Sequence, residues 1–224
     1  MDLERALGAL EADRRHGAGY LARKALGILA AVTPDARERV AERLLALRPA
    51  MPAIAAAVRE ALGSEDPKAV LRRADRERRQ LAEEAATRLR GKAVVTISNS
   101  SLVTRAVLKA RPPQTEVVLQ EADDEGRILL AELLLNGLRA RTVSLAEVAS
   151  EIAVVGSDAV FDDGAFVNRR GTASLIERMR TLPVLVLTER WKRVSGPAPS
   201  EWPEADLFEI VRPADNVVLL AVSR

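Results

Sequence analysis

The sequence predicts an α/β protein in which a helical domain, residues 1–90, precedes an open and mostly parallel sheet domain with crossover helices, residues 91–224. Three observations carry that prediction. The first ninety residues are helix formers whose apolar positions follow a helical stripe. Beyond Gly91, short β-rich runs alternate with helical stretches. Proline and glycine fall where these elements should start and stop.

Leu3, Leu7 and Leu10 share one stripe, and Leu21, Ala25, Ile28 and Leu29 share another. Thr33-Pro34 has the pattern of a helix cap followed by proline at the first helical position, and Ser64 to Pro67 repeats it before a long segment ending near Arg90. Leu47-Arg48-Pro49 and Leu62-Gly63 supply stops. Four or five antiparallel helices are expected, because the connections are short. The strands expected after Gly91 are Ala93 to Thr96, Glu116 to Gln120, Arg141 to Val143, Ile152 to Val155 and Val184 to Leu187. Alternation with helices makes them parallel. Two further apolar runs, Leu207 to Val211 and Val217 to Val222, are expected as the last strands of the same sheet, and Ser195 to Pro203 as a surface connection.

The chain has 224 residues, 48% of them hydrophobic, which suffices for a sizeable core. Its longest apolar run, near Leu129 to Leu135, is too short to span a bilayer, and Met1-Asp2-Leu3-Glu4 lacks the basic start of a signal peptide. A cytoplasmic protein with no membrane contact is expected. Cysteine is absent, which excludes disulfides, thiolate metal sites and a cysteine nucleophile; the single histidine argues against a histidine metal cluster, so no metal or cofactor is expected. The 34 basic residues nearly cancel the 32 acidic ones, for a net charge of +2, and only 3% of residues are aromatic. Acidic residues interrupt the basic cluster from Arg72 to Arg79, so a solvated helix face is expected there and nucleic acid is not an expected partner.

In open α/β sheets ligands bind beyond the carboxyl ends of the strands, which directs attention to the residues that follow each one. Ile97-Ser98-Asn99-Ser100-Ser101 gathers three hydroxyls and an amide before a helix, where unpaired N–H groups and the helix dipole favour an anion such as phosphate. The alternative is that Ser100 or Ser101 simply caps the helix. The second loop reads Gly156-Ser157-Asp158, with Asp162-Asp163-Gly164 as a tight turn and Asn168-Arg169-Arg170-Gly171-Thr172 opening another helix. A carboxylate at a strand end can move a proton or hold a sugar hydroxyl, and Asp158 can equally cap a turn.

Gly156-Ser157-Asp158-Ala159-Val160, continuing through Asn168 to Gly171-Thr172, resembles a Gly-Ala-Asp motif followed by a turn and Asn-Lys-Ile-Gly-Thr. That motif belongs to the alpha, beta and delta subunits of translation initiation factor 2B and their relatives, methylthioribose-1-phosphate isomerase and ribose-1,5-bisphosphate isomerase. Thr96-Ile97-Ser98-Asn99-Ser100 is similar to the family's Thr-His-Cys-Asn-Ser, and Glu121 stands where its Glu-x-Arg-Pro begins. Lys192 resembles a lysine after the later strand, and Asp13 to Ala18 looks like the N-terminal Asp-Arg-x-x-Gly-Ala. A helical domain before a Rossmann-like domain is also the family's arrangement.

The resemblance implies a site for a phosphorylated sugar or nucleotide and a homodimer formed through the C-terminal domain. The family's isomerases use the loop cysteine and the Gly-Ala-Asp aspartate as an acid–base pair; the matching positions are Ser98 and Asp158. A serine hydroxyl is a far weaker acid than a thiol of pKa ~8.5, so binding in a regulatory or sensing role is expected, with aldose–ketose isomerisation of a sugar 1-phosphate as the alternative. The ligand-binding residues implied are His16, Gly17, Ala18, Asn99, Ser100, Glu121, Asn168, Arg170, Gly171, Thr172 and Lys192. His16 stands where the isomerases carry a phosphate-binding arginine. Ala122-Asp123-Asp124 in place of arginine-proline and Arg169-Arg170 in place of lysine-isoleucine are departures, as is the shorter chain.

Overall fold

The computed structural model describes residues 2–13, 16–47, 51–119 and 124–221. Among the described residues the N-terminal part holds five helices, α1 (Leu3–Ala12), α2 (Ala18–Ala31), α3 (Pro34–Leu47), α4 (Pro52–Leu62) and α5 (Pro67–Leu89). The last three each begin on a proline, whose fixed φ suits the first helical turn and whose missing N–H costs no bond there. Asp66 caps α5 by accepting the Lys68 N–H at 2.9 Å, and Ser64 in turn accepts the N–H of Asp66 at 3.3 Å. Gly63 stops α4 as expected.

Helices α1 to α4 bury one apolar cluster, Leu7, Leu21, Leu26, Leu44 and Ile54 among its members, which also takes in Val70 and Ala74 from the front of α5. The rear of α5, Leu81, Ala85 and Leu89, packs in a second cluster with the sheet. At 1.5 Å per residue this 23-residue helix is about 34 Å long, enough to reach both. No helix among the described residues is long and apolar enough to cross a membrane.

Among the described residues ten strands follow: β1 (Val94–Thr96), β2 (Thr115–Val118), β3 (Ala140–Val143), β4 (Ile152–Val155), β5 (Ala159–Phe161), β6 (Phe166–Arg169), β7 (Val184–Thr188), β8 (Arg193–Val194), β9 (Phe208–Val211) and β10 (Val217–Ala221). Between them lie α6 (Ser101–Ala110), α7 (Glu125–Leu135) and α8 (Thr172–Arg178). Six strands pair in parallel in the order β10-β7-β4-β1-β2-β3. Both faces of the central strands are covered, so successive residues bury alternately. Val94, Ile152, Val154, Leu185 and Leu187 face α5 and α6, whereas Val95, Ala153, Val155, Val184 and Val186 face Phe166 and Leu175. From β1 the chain winds outward through β2 to β3, then returns to lay β4 on the other side of β1. The reversal opens a crevice at the carboxyl ends of β1 and β4, the expected place for a ligand.

The sequence-based expectation for the C-terminal strands needs correction. β10 joins the main sheet beside β7, but β9 belongs to a second sheet of order β8-β5-β6-β9. There it pairs antiparallel with β6, Asn168 opposite Glu209. The Asp162-Asp163-Gly164 turn closes a β5–β6 hairpin, with the Asp163 carboxylate accepting the Ala165 N–H at 3.1 Å. The antiparallel return of β6 brings Asn168 back to the crevice.

Candidate functional site

The loops after β1 and β4 touch. A Cβ on Gly156 would lie 2.8 Å from Ser100 Oγ and 2.9 Å from Ser100 Cβ, so this approach requires glycine. The backbone of the first loop is fixed by the Ser100 N–H, which donates to the Ser98 carbonyl at 3.0 Å, and by the Asn99 N–H, which donates to Glu125 Oε2 at 3.3 Å. Helix capping does not occupy the serines. Ser100 makes no side-chain cap, its carbonyl instead accepting from the Thr104 N–H at 2.8 Å and hydroxyl at 3.0 Å, and the Ser101 hydroxyl accepts from Arg78 Nη2 at 2.8 Å.

Eight of the expected residues, His16, Gly17, Ser98, Asn99, Ser100, Asp158, Asn168 and Lys192, line one cavity of about 110 Å³. Ser98 is buried, and among the described residues its hydroxyl has no hydrogen-bonded base beside it. The Asp158 N–H donates to the Val167 carbonyl at 2.8 Å, and the nearby Ala18 N–H favours its charged form. Ala18 itself is fully buried behind the wall. Asp158 lies deep in the protein while keeping one side open to the cavity. Burial pushes its carboxyl upward; Lys192, the Ala18 N–H and Arg169 oppose that shift, and Glu189 adds to it.

Lys192 is 5% exposed, and its ammonium donates to the Ser157 carbonyl and lies 3.8 Å from Glu189 Oε2. Glu189, also buried, accepts from Arg23 Nη1 at 2.6 Å and lies 3.4 Å from Arg78 Nε. Burial alone would raise its carboxyl, but the three cations outweigh it and hold the group below the usual carboxylate range. Arg23 comes from α2 and Arg78 from α5, so this carboxylate joins the helical part to the end of β7. Trp191 strengthens that junction: it is buried in the helical cluster and donates Nε1–H to Glu60 Oε2 at 2.7 Å.

Gly171 and Thr172 stand behind the wall. Gly171 makes the left-handed turn before α8, φ 88°. The buried Thr172 hydroxyl donates to the Arg169 carbonyl at 2.7 Å and accepts from Asn168 Nδ2 at 3.0 Å, which aims the Asn168 amide. Neither residue lines the cavity. Arg170 is not on the cavity: past the end of β6 its N–H donates to the Leu207 carbonyl and its guanidinium to the Ala205 carbonyl at 2.7 Å. Arg169 takes the wall position instead, its Nη2 donating to Glu125 Oε1 at 2.7 Å. His16 lies at the rim, its Nδ1 2.7 Å from Asp13 Oδ2 and its ring stacked on Tyr20 at 4.0 Å. Glu121 lies outside the described residues.

Sequence reasoning did not single out Arg169, Glu125, Ser157 or Glu189 as lining residues. Ser157 and Glu189 directly follow β4 and β7, so the strand-end rule applied to every strand would have found them. Glu125 and Arg169 meet only through the fold. Cationic Lys192 and Arg169, with the first N–H groups of α6, suit an anion, while Asp158 and Asn168 suit hydroxyls.

The profile of the Initiation factor 2 subunit family matches residues 16–196. A putative translation initiation factor eIF-2B subunit 2-like protein of Pyrococcus horikoshii is 31% identical over 134 residues, 54% of this chain and 49% of that protein, so the match spans about half of the relative's length. The crystal structure of the Pyrococcus horikoshii translation initiation factor eIF-2B superposes with a TM-score of 0.80 at 22% identity, over 97% of this chain and 94% of that one. That of 5-methylthioribose 1-phosphate isomerase from the same organism does so with a TM-score of 0.71 at 16% identity, over 94% and 80%. At these identities the structural likeness establishes the fold. The extent of the profile match establishes more: the chain belongs to the initiation factor 2 subunit family.

Proposed function

We propose that this protein binds a phosphorylated sugar or nucleotide without turning it over, in a regulatory or sensing role. The observation that carries the reading is the contrast within one cavity. Lys192, Asn168 and Asp158 converge there, yet the position matching the isomerases' thiol is Ser98, whose hydroxyl has no hydrogen-bonded base among the described residues. Phosphate is held by Lys192, the Ser98–Ser100 loop and the start of α6, with His16 at the rim; Asp158 and Asn168 hold sugar hydroxyls. Residues 1–90 and 91–224 act as two domains that share this cavity. The protein works in the cytoplasm as a homodimer through its C-terminal domain, a reading supported by Val218 and Leu219, which are exposed on the edge strand β10.

The second reading, an aldose–ketose isomerase, is favoured by Asp158, a carboxyl on the cavity wall that burial pushes upward. One experiment separates the two. Sugar phosphates and nucleoside monophosphates are screened for thermal stabilisation, and each binder is assayed for aldose–ketose conversion. A hundredfold excess over Kd stabilises by about 2.7 kcal/mol, so a true ligand is visible. Binding that is lost in Asp158→Ala, without turnover, supports the sensing role; turnover lost in the same variant supports the isomerase, and the absence of any phosphate-dependent shift removes both.

A further inference from the structure

Two donors of the strand-end cavity are already held by a carboxylate of the protein itself. Glu125, the first residue of α7, accepts the Asn99 N–H on Oε2 at 3.3 Å and Arg169 Nη2 on Oε1 at 2.7 Å. Glu125, Asn99 and Arg169 all line the cavity. The pair is mostly withdrawn from water, with 22% of the Glu125 side chain and 15% of the Arg169 side chain exposed, so solvent and salt screen the contact only in part.

These donors are of the kind that holds phosphate. Asn99 belongs to the loop that opens α6, and a guanidinium offers phosphate the same fork that it offers a carboxylate. A carboxylate seated on both stands where the oxygens of a ligand would be. Neither donor depends on Glu125 for its position. The Asn99 loop is also tied by the Ser100 N–H, which donates to the Ser98 carbonyl at 3.0 Å. Arg169 is fixed in β6 opposite Phe208 of β9, and its Cζ lies 5.6 Å from the centroid of that ring, which is itself on the cavity wall. The dipole of α7 accounts for an acidic residue in its first turn. It does not account for both carboxylate oxygens reaching donors of the cavity.

We propose that Glu125 is a resident competitor for the cavity, a specificity-determining residue whose carboxylate holds the Asn99 N–H and Arg169 until a phosphoryl group takes them over. The inference rests on the sugar-phosphate reading above. A phosphoryl group carries more charge and more acceptor oxygens than the single carboxylate, so it can displace Glu125, which turns aside about its own side-chain bonds while the backbone stays in place. The affinity for phosphate is therefore set below what the same donors would give unopposed. The cavity fills only when its ligand is plentiful, which suits a protein that reports a concentration.

The test is calorimetric titration of the full chain with ribose 5-phosphate and with inorganic phosphate. Glu125→Gln should bind at least one of these probes about tenfold more tightly than wild type, a gain that shrinks as salt rises. Adding Arg169→Gln to Glu125→Gln should remove most of the gain, because the two residues act on the ligand as a pair. Glu177→Gln makes the same change of net charge at an exposed position of α8 and should stay within about twofold of wild type. Thermal melting checks the fold of each variant. If Glu125→Gln does not melt cooperatively, Glu125→Asp is measured in its place; it draws the charge back by one methylene and should show part of the gain. Unchanged or weaker phosphate binding in the Glu125 variant makes the residue a strut and overturns the proposal, as does an equal gain in Glu177→Gln. Failure of wild type and variant alike to bind either probe overturns the underlying reading as well.

Discussion

Glu189 brings its Oε2 to within 1.6 Å of the point where a side chain on Gly19 would begin. The carboxylate occupies space that any other residue on this face of α2 would need. Arg23, Arg78 and Lys192 hold it there, so it cannot swing aside without loosening those contacts. The glycine and the acid are therefore one feature.

Gly19→Ala should destabilise the protein by about 1–3 kcal/mol, the cost of forcing a side chain into filled space. Gly27 is in the same helix with nothing within 4 Å of its missing Cβ, so Gly27→Ala should instead stabilise by about 0.4–1 kcal/mol. Urea unfolding of both variants measures the difference; destabilisation of the two alike would show that α2 dislikes alanine for another reason.

Glu189→Gln should cost about 3–5 kcal/mol at neutral pH, because it leaves buried cations without their counter-charge. The folded-state pKa of Glu189 is depressed, so its contribution is present above the unfolded value of about 4.3 and disappears as pH falls through the folded value. Unfolding curves across the acid range should show wild type and variant converging, whereas a constant gap would assign the effect to packing.

Asp158 should behave oppositely. Its folded-state pKa is raised, so its favourable contribution is complete below about pH 3.9 and is lost as pH rises through the folded value. Asp158→Asn, which removes a buried charge at nearly constant shape, should be at least as stable as wild type at neutral pH while ligand affinity falls about tenfold or more. A melting comparison at neutral pH beside a titration with the ligand from the screen checks this; a less stable variant would contradict it.

Thr172→Val should remove the acceptor of the Asn168 amide and the donor to the Arg169 carbonyl, costing about 1–3 kcal/mol. Ligand affinity should fall with it, since Asn168 loses its orientation, and Thr172→Ser should restore both. Rescue of stability without rescue of affinity would show that the methyl group, not the hydroxyl, sets the wall.

The parallel sheet was legible because β1, β4, β7 and β10 are short, mostly apolar runs and the loops after β1 and β4 concentrate polar side chains. Partner choice was not. Leu207 to Val211 and Val217 to Val222 have the same apolar character, yet β9 pairs with Phe166–Arg169 and β10 with Val184–Thr188, and only three-dimensional proximity separates them. The β5 strand follows β4 after only three residues, so in sequence it merges with the loop of Gly156 to Asp158. Ser98, Asp158, Asn168 and Lys192 were found through spacing and resemblance, but the choice between Arg169 and Arg170 depended on how the chain leaves β6. The Glu189 cluster joins residues far apart in sequence, Arg23 and Arg78 among them, so no local pattern announces it.

The contact between Gly156 and Ser100 has a kinetic consequence. The two loops lean on each other directly, so the inner cavity is assembled before anything enters it. A ligand then has little chain to order, and association should be limited by encounter and charge steering, with affinity differences among ligands appearing chiefly in how fast they leave.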